Sequence, residues 1–162
     1  MDALGVIADT AREALADVRT VLEELRSTDS VGDVSRADRD QLFARMRAAG
    51  MTIDADETGT ADDVDPVTVR VAHAVLTEAL TNALKYGDLT QAVTVHHDWT
   101  IGARLTVGNA VADRPLAPGG ARHGIIGMTE RAAHVGGRLS STSTQDGWLV
   151  VLTVPDPKGP TR

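Results

Sequence analysis

The sequence predicts an α+β domain, a two-layer α/β sandwich with helices on one face of a mixed, mostly antiparallel sheet. Three observations predict it. "AVTVHHDW" and "ARLTVGNAV" alternate like two antiparallel strands joined at "TIGA". A long helical pattern opens at Asp65–Pro66 and stops at Gly87. The content is 42% hydrophobic but has only four aromatics, Phe43, Tyr86, Trp99 and Trp148, so the core of this 162-residue chain must be Leu, Val, Ile and Ala.

Taken in order, residues 4–26 carry Leu15, Val18, Val21, Leu22 and Leu25 at helical spacing, which predicts a long amphipathic helix. "STDSVGDVSRADRD" is a polar, turn-rich linker, and "RDQLFARMRAAGM" is a short helix with Gly50 as its C-cap. "MTIDADE" is a strand. The helix Pro66–Tyr86 has a mechanical start: Asp65 accepts from free amides, and Pro66 occupies a first-turn position where its missing N–H costs nothing. After the strand pair, the loop "ADRPLAPGGARHG" leads into the helix "IIGMTERAAHVGG", and "GRLSSTSTQDGWLVVLTVP" closes as a hairpin.

Composition narrows the function. A net charge of −7, from 23 acidic and 16 basic residues, repels a phosphate backbone, and four aromatics offer little for stacking bases, so no nucleic-acid partner is expected. The absence of cysteine excludes disulfides and thiolate metal sites. No stretch approaches the roughly 20 apolar residues of a membrane span, and the N-terminus lacks a signal peptide's pattern, so the chain reads as cytoplasmic without membrane contact.

Within "LTEALTNALKYG", Asn82 and Lys85 fall within about 40° of Glu78 around the helix, while Leu76, Leu80 and Leu84 point elsewhere. The plain reading is a solvated face with a helix-stabilising pair. A second motif, "RHGIIGMTERAAHVGG", changes the balance: a Pro/Gly loop ends at Gly124 and a helix opens with Gly127 near its first turn, where free amides suit a phosphate. A carboxylate, a carboxamide suited to Mg²⁺, a lysine and a phosphate-binding helix start together describe a nucleotide-triphosphate site.

These motifs resemble the ATP-binding catalytic domain of sensor histidine kinases, within the GHKL superfamily and its nitrate-sensor-like branch. "EALTNALKYG" resembles the N box, "HGIIGMTERAAHVGG" the second glycine box, and "AREALADVRTVLEELR" the second helix of that branch's dimerisation domain. The resemblance implies a Bergerat-type fold over residues 41–156, a dimerisation-domain end over 1–28, a linker over 29–40 and a tail over 157–162. It also implies ATP and Mg²⁺, with Asn82 as the Mg²⁺ ligand and Glu78 as the catalytic carboxylate that orients metal-bound water or a nucleophile. Lys85 would reach the phosphates, and Tyr86 sits in the ATP site where a histidine is common. Gly124, Ile125, Gly127 and Met128 would form the hinge and floor of a lid over residues 111–123, with Arg122 and His123 as its mobile edge. Asn109 falls where the family usually has the aspartate that accepts from the adenine amino group.

The departures lie mainly on the adenine side. The family's Asp-x-Gly-x-Gly is here Asn109 to Asp113 without either glycine, Arg122 replaces the first glycine of the second box, and Trp148 follows Gly147 where a threonine is frequent. His96 and His97 are adjacent in a strand and face opposite ways, His73 falls among core leucines, and His134 is a packed or exposed helix residue. None stands in a phosphoacceptor context. The resemblance therefore implies a kinase catalytic domain whose partners are the histidine-bearing dimerisation helix of the same kinase, a response regulator and a second copy of the chain as a homodimer. The alternatives are a degenerate nucleotide-binding or dimerisation module without turnover, and an anti-sigma-type serine kinase.

Overall fold

The computed structural model describes residues 34–111, 120–145 and 147–156, with the side chains of residues 120–123 outside the description. All belong to the second of the chain's two compact units, Asp33–Arg162. The helix expected over 4–26, the loop residues 112–119 and the tail 157–162 lie outside the described residues.

Helix α1 spans Arg36–Ala48 and is followed by strand β1, Ile53–Thr58. A 3₁₀ turn at Ala61–Asp63 leads into helix α2, Pro66–Tyr86; strands β2, Val93–Asp98, and β3, Gly102–Asn109, come next. Helix α3, Gly120–His134, precedes strands β4, Arg138–Ser143, and β5, Trp148–Pro155. The five strands form one sheet in the order β1-β2-β3-β5-β4, with β1 parallel to β2 and every other pairing antiparallel. The fold class expected from the sequence is therefore the one observed. Among the described residues no helix is long and apolar enough to cross a membrane.

Local chemistry explains most boundaries. Asp65 accepts from the Thr68 amide with Pro66 at the first helical position, and α2 ends at Tyr86 before Gly87, as its sequence requires. Helix α1 begins at Arg36, inside the expected linker 29–40. A capping box sets that start: Ser35 accepts from the Asp38 amide while the Asp38 carboxylate accepts from the Ser35 backbone at 2.7 Å. Helix α3 opens at Gly120, five residues before Ile125, where the sequence pattern starts the helix.

The sheet has two unlike faces because its strands alternate. Val93, Val95, His97, Ala103, Leu105, Val107, Val150, Leu152 and Val154 are buried beneath the helices. Leu76, Leu80, Val75 and Ala79 of α2 complete that layer, and Leu42, Met46 and Met128 add α1 and α3. The opposite face carries Asp54, Thr94, Arg104, Thr153, Ser140 and Thr142, all exposed. His96 and His97 part accordingly. His96 pairs with Asp56 at 2.6 Å on the open face, and His97 stacks on Trp99 at 5.2 Å in the core.

His97 is held by its surroundings in the neutral form. Burial, then the nearby Arg39 guanidinium, pushes its pKa down to about 4. Burial also lowers His73. A histidine depressed in the fold binds its proton more readily when unfolded, so its stabilising contribution is complete above about pH 6.5 and declines as pH falls towards 4. In this window His97 alone should cost at most about 1.4 kcal/mol per pH unit. Denaturant melts at pH 7, 6 and 5 should show that fall, and His97→Phe should flatten it. An equal slope in the variant would assign the effect to other groups.

Candidate functional site

The site forms where α2, α3 and the ends of β3 and β5 meet. Ala79, Asn82 and Tyr86 come from α2, Ile125 and Met128 from α3, Val107 and Asn109 from β3, and Trp148 and Val150 from β5. With Val111 they enclose a cavity of about 70 Å³. It is mainly apolar, with Asn82 and Asn109 as its carboxamides and Tyr86 and Trp148 as its aromatic walls.

Gly124 brings the two sequence motifs together. A Cβ at this position would overlap the Glu78 carboxylate and lie 3.4 Å from Asn82 Nδ2. The bare backbone of α3 thus rests directly on the polar edge of α2. Glu78 and Asn82 are half-buried there, Lys85 is exposed one turn on, and neither Glu78 nor Lys85 forms an ion pair with another described residue. The helical surface-pair reading of Glu78 is therefore not the arrangement found.

The early start of α3 changes the part played by its glycines. Free amides belong to the first turn of a helix, which here is Gly120–His123. Gly124 and Gly127 lie beyond it, and Met128 is fully buried. The amides of Gly124, Ile125, Gly127 and Met128 are therefore not the free set that the sequence pattern suggests. Their residues instead supply close approach and cavity wall.

The corner at Asn109 is built from backbone. Ala110 O accepts from the Asp88 amide at 2.9 Å and from Asn109 Nδ2 at 2.8 Å, tying the end of α2 to the end of β3. Gly87 makes the corner fit, since a Cβ there would stand 2.5 Å from Ala83 O and 3.2 Å from Asn109 Nδ2. A carboxamide has two orientations, and only the structure selects between them. With its nitrogen committed to Ala110, Asn109 lines the cavity and keeps an Oδ1 acceptor to which no described residue donates.

A larger cavity of about 440 Å³ lies at the other end of α2, lined among others by Arg36, Arg39, Glu57, His73, His97 and Trp99. Of the two sequence motifs it touches only Leu76, and its central carboxylate is already paired: Glu57 meets Arg36 at 2.5 Å and Arg39 at 2.6 Å, and accepts from the Trp99 indole at 2.8 Å. Burial pushes the Glu57 carboxyl up, but the indole and the Arg39 guanidinium outweigh it and leave the carboxyl below its ordinary value. The smaller cavity, which Asn82 of the first motif and Ile125 and Met128 of the second line together, is the better candidate. Sequence reasoning missed the close approach at Gly87 and the Ala110 carbonyl that hold its Asn109 corner, because backbone acceptors and close approaches leave no side-chain pattern.

This architecture is the fold of histidine-kinase catalytic domains. It superposes on the histidine kinase AdeS of Acinetobacter baumannii with a TM-score of 0.56 at 12% identity, covering 93% of this chain and 79% of that one. The catalytic domain of histidine kinase ThkA gives 0.54 at 14% identity, covering 87% and 92%. In sequence, the chain is similar to the sensor histidine kinase YxjM of Bacillus subtilis, 26% identical over 163 aligned positions. Those positions span 92% of this chain but 36% of that relative. No family model matches the chain.

Two outcomes follow from the geometry. Gly124→Ala gains helix propensity of about 1 kcal/mol while its methyl displaces the flexible Glu78 carboxylate. The variant should melt close to the parent or slightly above, and the Glu78 side-chain carboxylate resonance should move. A folded variant with that resonance unmoved would contradict the contact. Asn109→Asp places a carboxylate oxygen against Ala110 O in place of a donor, so it should lose about 1–3 kcal/mol at pH 7. Chemical denaturation measures this, and a neutral or stabilising result would mean that the corner does not hold the amide.

Proposed function

We propose that this chain is the ATP-binding catalytic domain of a sensor histidine kinase, placing the ATP γ-phosphoryl for transfer to a histidine on a dimerisation helix. The observation that carries this reading is the convergence of Glu78, Asn82 and Gly124 beside a cavity that ends at Asn109. In this reading adenine enters the apolar cavity and donates its amino group to Asn109 Oδ1. The triphosphate runs along α2 towards Lys85 and the first turn of α3, where Arg122 and His123 stand.

The residues suit Mg²⁺. Among the described residues no three histidines or acids gather into a metal cage, and Mg²⁺ characteristically takes one or two protein oxygens with phosphates and waters completing its shell. Asn82 Oδ1 would hold the ion, and the ion when bound supplies charge neutralisation between phosphate oxygens. Glu78 orients a water or the incoming nucleophile, Lys85 draws the phosphates by charge, and the apolar walls exclude water from the base. Phosphoryl transfer needs mainly such positioning and electrostatic stabilisation.

The response regulator, a homodimeric assembly, a cytoplasmic location and membership of the nitrate-sensor-like branch belong to the same proposal, resting on the motifs. Neither a module without turnover nor a serine kinase is favoured, since the phosphate-side groups converge and the kinase-like fold extends over most of the chain. Asn82→Ala should fold normally yet lose about tenfold or more of its Mg²⁺-dependent ATP affinity, equivalent to at least ~1.4 kcal/mol. Calorimetric titration with Mg²⁺ and with EDTA checks this. Identical Mg²⁺ dependence in parent and variant would remove Asn82 from the metal site.

A further inference from the structure

We infer that Trp148 is a base-contacting residue, an aromatic wall that this chain uses to grip the purine ring beside Asn109. The inference rests on the nucleotide reading above and adds to it a residue that determines affinity for the base.

The strand register sets the geometry. Asn109 of β3 is paired directly with Trp148 of β5, so both side chains leave the sheet on the helix-covered face and line the same cavity. Gly147 permits this close pairing, because a Cβ there would overlap the Asn109 carbonyl. The indole then reaches across β4, where Nε1 donates to Ser141 Oγ at 2.8 Å.

That hydrogen bond decides what the ring presents. An unpaired indole N–H facing an apolar cavity is costly, and the ring would turn to satisfy it elsewhere. Ser141 satisfies the N–H away from the cavity and orients the ring, so the cavity meets carbon rather than a donor. Val107 and Val150 on the sheet and Ile125 and Met128 on α3 supply the other apolar surfaces. A rigid aromatic wall beside a fixed acceptor suits a flat ring bearing an exocyclic amino group, as in adenine. Guanine, with a carbonyl at the corresponding position, would set oxygen against oxygen at Asn109.

The test uses the whole chain and two ligands that share phosphates but differ in the base, Mg·ATP and Mg·tripolyphosphate. Trp148→Ala should weaken ATP by about 5- to 50-fold, as base–aromatic stacking losses do, and leave tripolyphosphate unchanged. Trp148→Phe keeps a ring and should stay within about threefold of the parent for ATP, a shift of at most ~0.7 kcal/mol; it also serves if the alanine variant does not fold. ATP should quench tryptophan emission in the parent and not in Trp148→Phe. Equal losses for both ligands would make Trp148 merely structural and overturn the inference. Unchanged ATP affinity in Trp148→Ala would overturn it as well. A parent that binds tripolyphosphate but not ATP overturns the base contact, whereas a parent that binds neither overturns the nucleotide reading itself.

Discussion

The contact of α3 with the polar flank of α2 shapes the site, and at Gly124 bare backbone makes it, against Glu78 and Asn82. Helix α2 has two obligations that compete for its surface. Leu76 and Leu80 must be buried against the sheet, which fixes the helix's rotation and leaves Glu78 and Asn82 on its flank. A neighbouring helix at an ordinary separation of 8–10 Å would normally cover such a flank with side chains. The glycine at the crossing lets backbone approach instead, so the polar pair is sheltered without being filled over. Sheltered polar groups with room beside them are what a charged ligand requires.

The opposite end of α2 follows the contrary logic. Glu57 draws Arg36, Arg39 and the Trp99 indole to one carboxylate, and the Arg39 and Arg47 guanidiniums lie 5.9 and 5.7 Å from the Phe43 ring centre. These contacts tie α1 to β1 and to the turn after β2, using partners inside the protein. The Glu57 carboxylate at that end is spent on partners within the protein, while Arg39 Nε and His73 Nε2 stay without a hydrogen bond. The same helix therefore runs from an end anchored by a paired carboxylate to one where Glu78 and Lys85 have no ion pair with another described residue, and this difference, more than cavity size, separates framework from function.

Much of the fold was legible because its signals are local. The Asp65–Pro66 start, the Gly87 stop and the alternation of β2 and β3 each depend on residues a few positions apart. What could not be read is relational. Nothing in "MTIDADE" says that β1 runs parallel to β2, or that β5 inserts between β3 and β4, because those pairings depend on distant segments. The start of α3 escaped because the two prolines and three glycines of "ADRPLAPGGARHG" read as a loop, while the helix opens at Gly120 within that stretch. At the site, Glu78, Asn82 and Asn109 were visible as residue types. The orientation of the Asn109 amide was not, since it depends on the carbonyl of its neighbour, and the direction of the Trp148 ring depends on a serine seven positions away.

The bare face of the sheet has a practical consequence. All cavity-lining groups leave the strands on the helix side, while Thr153, Arg104 and Thr142 stand on the reverse, exposed to water. The chain also contains no cysteine. A single thiol introduced on that reverse face, at Thr153 for instance, would be chemically unique and separated from the cavity by the thickness of the sheet. A spin label, fluorophore or surface tether attached there could report on the molecule or immobilise it without entering the chamber that it is meant to observe.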